Sequence, residues 1–175
     1  MRLLKFITSS PVNMVINNLF WAGCVIGRYD SFWFVAPAIL FYVALLIYAR
    51  VVTLKQLLFP IILGIAIDSL FTVTGMFQFE PQGLLLPLWM CSLWIAFSTT
   101  LPLSLRLLGH NGYLAALTGG LGFPFSYYLG HKLGAIQFGL PLPWVITLIA
   151  LTWAVLLPMM YKWINTQPVL NHEIV

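Results

Sequence analysis

Residues 56–79 read QLLFPIILGIAIDSLFTVTGMFQF, and a single charged group, the carboxylate of Asp68, stands among them. On either side of it, Leu57 to Ile67 and Ser69 to Phe77 are almost wholly apolar. About 20 such residues in a helix cross the ~30 Å hydrocarbon core of a bilayer. The stretch therefore predicts a membrane helix that carries an acid. The rest of the chain agrees. Apolar residues make up 61% and charged residues 7% of its 175 residues, against roughly 45–50% and 25% in an ordinary soluble domain. Too few polar side chains are present to cover a water-exposed surface. This excludes a soluble globular enzyme, a disordered tail and a nucleic-acid binder.

Stretches free of Asp, Glu, Lys and Arg cover residues 6–27, 31–49, 81–105, 107–131 and 133–161. Lipid offers no partner to backbone groups, so a spanning segment must be a helix or part of a closed barrel. Barrel strands alternate apolar and polar residues over short runs; these runs are long and continuous. The fold expected is an all-α, polytopic transmembrane bundle of about six spans, near 11–27, 32–49, 55–74, 84–104, 112–130 and 143–161. Little chain is left over, so residues 1–175 read as a single integral membrane domain. The fifth span is the weakest, because Gly119, Gly120, Gly122 and Pro124 lie inside it, and a re-entrant segment is the alternative there.

Lys and Arg of short loops collect on the cytoplasmic side. With six spans, Arg2, Lys5, Arg50, Lys55, Arg106 and Lys162 share one side and Arg28 and Lys132 the other. This predicts that both termini lie in the cytoplasm. Trp33, Trp89, Trp144, Tyr161 and Trp163 fall near span ends, as interfacial anchors do. The start MRLLKF is basic, but Asn17 and Asn18 interrupt the apolar run that a signal peptide requires, so the first span reads as retained.

Motifs for phosphate, dinucleotide or metal binding are missing, as is a serine elbow. No cofactor and no metal is expected. His110, His131 and His172 are far apart and read as solvated interfacial residues. Asp68 is the main signal, since an acid inside a span usually faces protein or water and marks function. Gly64, Asp68, Thr72 and Gly75 share one helix face. In the fifth span, Ser126 and Tyr127 offer hydroxyls to Asp68, and Trp89 lies in the same outer layer. Asn17 and Asn18 are mid-span amides expected to bond a neighbouring helix. Ser98, Thr99 and Thr100, ahead of Pro102, are expected to bond back to the helix backbone near a kink. The candidate ligand-binding set is Asp68, Trp89, Tyr127, Ser126 and Asn17; each also has a plain structural reading as helix glue or belt residue.

Gly64-x-x-x-Asp68, then Pro87-Leu88-Trp89 with Leu93-Trp94, then Thr99-Thr100, then Pro124-x-Ser126-Tyr127 and Gly130-x-x-Leu133-Gly134-Ala135 together resemble an uncharacterised family of small six-helix bacterial inner-membrane proteins, a domain of unknown function. The resemblance covers about residues 12–160. It implies no established activity; it implies a place near membrane-lipid metabolism, with membrane lipids, other membrane subunits or lipid-metabolism enzymes as partners and no nucleic acid. A looser similarity, resting on the Gly-x-x-x-Asp alone, joins the chain to substrate-binding subunits of vitamin-uptake systems and to a cell-shape membrane protein. The expected function is a small-ligand or lipid-binding accessory component with a polar site in the outer half of the bundle. The alternatives are a lipid-modifying membrane enzyme or a substrate-binding subunit of a transport system. An enzyme is disfavoured because one acid without an orienting neighbour is a thin inventory.

Overall fold

The structure, a computed structural model, describes residues 2–80, 83 and 85–167. It is a bundle of α-helices: α1 (Arg2–Ile7), α2 (Ser10–Tyr48), α3 (Leu54–Val73), α4 (Leu88–Ser98), α5 (Gly112–Lys132) and α6 (Leu142–Thr166). Three of them, α2, α3 and α6, are long and apolar enough to cross a membrane. They make this a membrane protein of all-α architecture.

The 39 residues of α2 are two arms rather than one rod. Arg28 breaks the helix with φ 45 and ψ −120, a backbone conformation that costs a non-glycine residue about 1–3 kcal/mol. Beyond it the chain turns back. Ser31 Oγ donates to the carbonyl of Gly23 at 2.7 Å, and Asn13 Nδ2 donates to the Tyr42 hydroxyl at 3.3 Å. Residues 13 and 42 would stand ~44 Å apart on a straight helix at ~1.5 Å per residue. The sequence predicts two segments here, 11–27 and 32–49, with the break at the charged residues between them. The Arg28 guanidinium fastens the turn by donating to the Gly134 carbonyl at 2.9 Å.

A capping box starts α3: the Thr53 side chain accepts from the Gln56 amide and the Gln56 side chain accepts from the Thr53 amide. Gly75, at φ 75, ends the turn that follows this helix. The fourth helix is shorter than the expected 84–104. Residue 84 lies outside the described residues, and α4 runs for only 11 residues. After it, the hydroxyls of Ser98, Thr99 and Thr100 bond back to carbonyls three residues earlier. Pro102 has no N–H to give, and the chain continues as turns into a short 3-10 helix, Arg106–His110. The fifth segment, in contrast, is one continuous α-helix of 21 residues through its glycines and Pro124. Asn111 caps its start.

The two ends of the bundle differ. At the Arg28 end, two short strands, β1 (Phe77–Gln78) and β2 (Gln137–Phe138), pair antiparallel. Two residues a side are too short a run to announce this pairing in the sequence. Phe77, 1% exposed, sits beneath it against Phe71, Phe79, Tyr127 and Phe138. The opposite end carries Lys55, Arg106 and Lys162. In the middle, Phe123 and Trp153 stack at 4.1 Å with Trp94 alongside Trp153 at 5.0 Å. Such aromatic pairs contribute about 0.5–1.5 kcal/mol beyond burial, and these fix the positions of α4, α5 and α6 relative to one another.

Candidate functional site

The inward face of α3 is Leu57, Pro60, Gly64, Asp68 and Thr72, all buried. Gly64 explains why an indole can reach the acid one turn later. A Cβ at position 64 would run into the Trp94 ring, so the missing side chain is the slot that the ring occupies. From there Trp94 Nε1 donates to Asp68 Oδ2 at 2.7 Å. From α5 the Tyr127 hydroxyl donates to Asp68 Oδ1 at 2.6 Å. Asp68 is 0% exposed. Each carboxyl oxygen therefore has one neutral donor, and the acid joins α3, α4 and α5. Thr72 turns its hydroxyl to the Asp68 carbonyl at 2.7 Å and leaves the carboxyl alone.

A cavity of about 250 Å³ lies on the far side of these donors. Its wall includes Trp94 and Tyr127, together with Trp21, Trp89, Phe123 and Ser126. Asp68 does not line it. The acid stands behind Trp94 and Tyr127, which present their rings to the space and their polar atoms to the carboxyl. Among the described residues, none that lines it carries a formal charge. Across the mouth, Trp21 Nε1 of α2 donates to the Ser126 hydroxyl of α5 at 3.1 Å. Trp89 is 3% exposed, and its indole nitrogen has no hydrogen-bond partner among the described residues.

The sequence-predicted residues thus separate. Trp89, Ser126 and Tyr127 share the cavity wall, with Asp68 one layer behind. Asn17 is elsewhere. Its Nδ2 donates to Thr99 Oγ1 and to the Asn13 carbonyl, both at 3.0 Å. It belongs to a second polar network centred on Asn13, which donates to Thr99 and Tyr42 and accepts from Ser104 at 2.7 Å. This network ties both arms of α2 to the end of α4. Asn18 faces outward and bonds only its own helix, at the Met14 carbonyl, so the expectation of a contact between helices fails there. Trp33, Trp144 and Trp163 are exposed as belt residues would be, whereas Trp89 and Tyr161 are buried. His131 stacks on Phe138 at 4.5 Å, His110 is exposed, and His172 lies outside the described residues.

Sequence reasoning missed Trp94 and Trp21 as members of the site. For Trp94 the signal was present: Gly64 leaves room four residues before the acid, and a tryptophan in the adjacent span is the side chain that fills such room and still donates. For Trp21 nothing in the sequence ties it to Ser126.

Comparison with known families decides the affiliation. The model of a family described as Protein of unknown function (DUF2878) matches residues 10–159. The chain belongs to the DUF2878 family. No curated protein and no solved structure matches it. The matched region holds α2 to the greater part of α6, and so every described residue of the cavity and of the Asp68 cluster.

Proposed function

We propose that this DUF2878 protein is a multi-pass inner-membrane protein, a single integral domain with both termini in the cytoplasm, that works as a binding or accessory component and holds a small ligand or lipid beside Asp68. The observation that carries the reading is the cavity: it shares Trp94 and Tyr127 with the acid, so occupancy and the Asp68 hydrogen bonds are mechanically linked. The orientation rests on the six-to-two division of Lys and Arg between the two sides. Burial of Asp68 behind its donors supports binding over catalysis, because a general acid or base needs hydrogen-bond reach to the proton it moves.

Native mass spectrometry of the protein released from mild detergent tests this. The wild type should carry a retained small molecule, and Asp68→Leu, which strips Trp94 and Tyr127 of the acceptor that holds them in the wall, should lose most of it while still folded at low temperature. A folded wild type that retains nothing refutes the reading. So does a folded Asp68→Leu protein that retains as much ligand and is only less stable, since the acid is then helix glue.

A further inference from the structure

Taking the cavity as the ligand site just proposed, we infer that its ligand is a neutral lipid with a small carbonyl-bearing head, which enters sideways from the middle of the bilayer and leaves its tail outside. Four observations lead there.

The first is where the cavity opens. Helix α2 packs on α4, and α5 packs on α6; between α2 and α5 the Trp21–Ser126 hydrogen bond is a bridge over a gap. Thr118, Gly122, Ser126 and Gly130 line that gap at four-residue spacing on α5. Small residues so spaced normally seat a second helix, yet Gly122 is exposed and a Cβ there would meet nothing nearer than its own neighbour Thr118 at 3.9 Å. Gly119, one position off this stripe, does seat a helix: its Cβ would strike the Trp153 carbonyl of α6. Gly122 is the midpoint of Gly112–Lys132, which sets the mouth near the centre of the membrane.

The second is the chemistry of the wall. It is aromatic and aliphatic, with hydroxyls and indoles but no charge among the described residues. A phosphate or carboxylate brought in through lipid would have no counter-ion to meet it, and burying an unpaired charge is prohibitive. The head must be uncharged.

The third is the set of spare donors. Trp89 Nε1 is a donor-only group, buried and without an acceptor among the described residues. Leaving such a group unmade costs about 1–3 kcal/mol. Ser126 accepts from Trp21 and keeps its own proton for another partner. Both wall groups seek an acceptor and neither offers a positive charge, which is the complement of a ketone, quinone or ester carbonyl.

The fourth is size. A cavity of about 150 Å³ takes one benzene ring. The 250 Å³ here takes roughly ten heavy atoms on that scale, enough for a head and not for a whole lipid. From Gly130 to Thr118 the wall runs ~18 Å along α5. The head therefore lies towards Trp89, and the tail passes Gly122 into the bilayer.

The test uses purified full-length protein in detergent micelles, with three added probes: decylubiquinone, a short-chain diacylglycerol and, as the charged control, a short-chain phosphatidylglycerol. Binding is read by native mass spectrometry and by the rise in melting temperature. One or both neutral probes should bind saturably and the charged one should not; which of the two binds separates a ring carbonyl from an ester carbonyl. Gly122→Leu closes the mouth without striking protein, so it should lose the neutral probe while its own melting temperature is unchanged. Trp89→Phe should weaken binding by about three- to tenfold, the worth of one hydrogen bond. Binding of the charged probe in preference, or neutral binding indifferent to Gly122→Leu, overturns the inference. So does a wild-type dimer that Gly122→Leu dissolves, because the stripe then seats a second copy. A wild type that retains a soluble, tail-less molecule overturns the inference and leaves the proposed function standing; one that retains nothing sinks both.

Discussion

Substitutions at Asp68 should separate by a property of its two partners that geometry alone does not reveal. Trp94 is only a donor, whereas the Tyr127 hydroxyl can donate or accept. In Asp68→Asn the amide oxygen can keep the Trp94 bond, now at 2.7 Å. The amide nitrogen then faces the Tyr127 oxygen, at the place of the present 2.6 Å contact, and the phenol proton rotates away so that the oxygen accepts. Both bonds survive with one reversed. Asn is nearly isosteric, so the expected cost is under about 1 kcal/mol, or roughly 4 °C or less in melting temperature for a chain of this size. Asp68→Leu leaves two buried donors unpaired at about 1–3 kcal/mol each, and its melting temperature should fall by roughly 4–24 °C. Tyr127→Phe alone leaves one carboxyl oxygen bare and should cost about 1–2 kcal/mol. The decisive variant is Asp68→Asn with Tyr127→Phe. The reversed bond then has no acceptor, but Tyr127→Phe alone has already lost that contact, so the pair should cost about the sum of the two single changes. Thermal unfolding in one detergent, followed by tryptophan fluorescence and by circular dichroism, measures all four. If Asp68→Asn is as damaging as Asp68→Leu, or if the pair costs clearly more than that sum, the account of the cluster as two neutral donors on one acid is wrong.

Three further expectations follow from other parts of the fold. Gly64→Ala should lower stability by about 1–3 kcal/mol, the usual range for overpacking, because the Trp94 ring it meets is held by Trp153 and Phe123; the change in unfolding temperature checks it, and a neutral result would mean that the ring has room to move. Asn13→Leu removes the donor or acceptor that Thr99, Tyr42 and Ser104 use and should cost about 1–3 kcal/mol, with faster proteolysis at the Lys55 end of the bundle. For orientation, with Cys24 and Cys91 replaced by Ala, a cysteine introduced by Asp30→Cys should react with a membrane-impermeant maleimide in spheroplasts, and one introduced by Lys55→Cys should react only after lysis; the opposite pattern reverses the proposed topology.

How much of this was legible in the sequence depended on whether the deciding interaction is local. The all-α class follows from long uncharged runs, since hydropathy within one segment settles whether lipid can solvate it. The turn at Arg28 is marked by Arg28 and Asp30 between two apolar stretches. The inward direction of Asp68 follows from Gly64 and Thr72 on the same face. Association of segments is a different matter. Between membrane helices no hydrophobic gain distinguishes one neighbour from another, so apolar faces carry almost no record of their partners. That is why the sequence does not show Trp21 reaching Ser126 across 105 positions, and why it groups Asn17 with an acid that Asn17 does not approach. It is also why Tyr161 reads as a belt residue and Trp89 as either a belt or a site residue: an aromatic ring near a span end looks the same whether it turns to headgroups or inward. The glycines of α5 show the limit most clearly. Gly119 and Gly122 stand three residues apart in one run of small residues, yet the first is filled by the Trp153 backbone and the second opens on nothing. Spacing alone makes both look like packing positions; only the placement of α6 on one side, and of no helix on the other, divides a contact from an entrance.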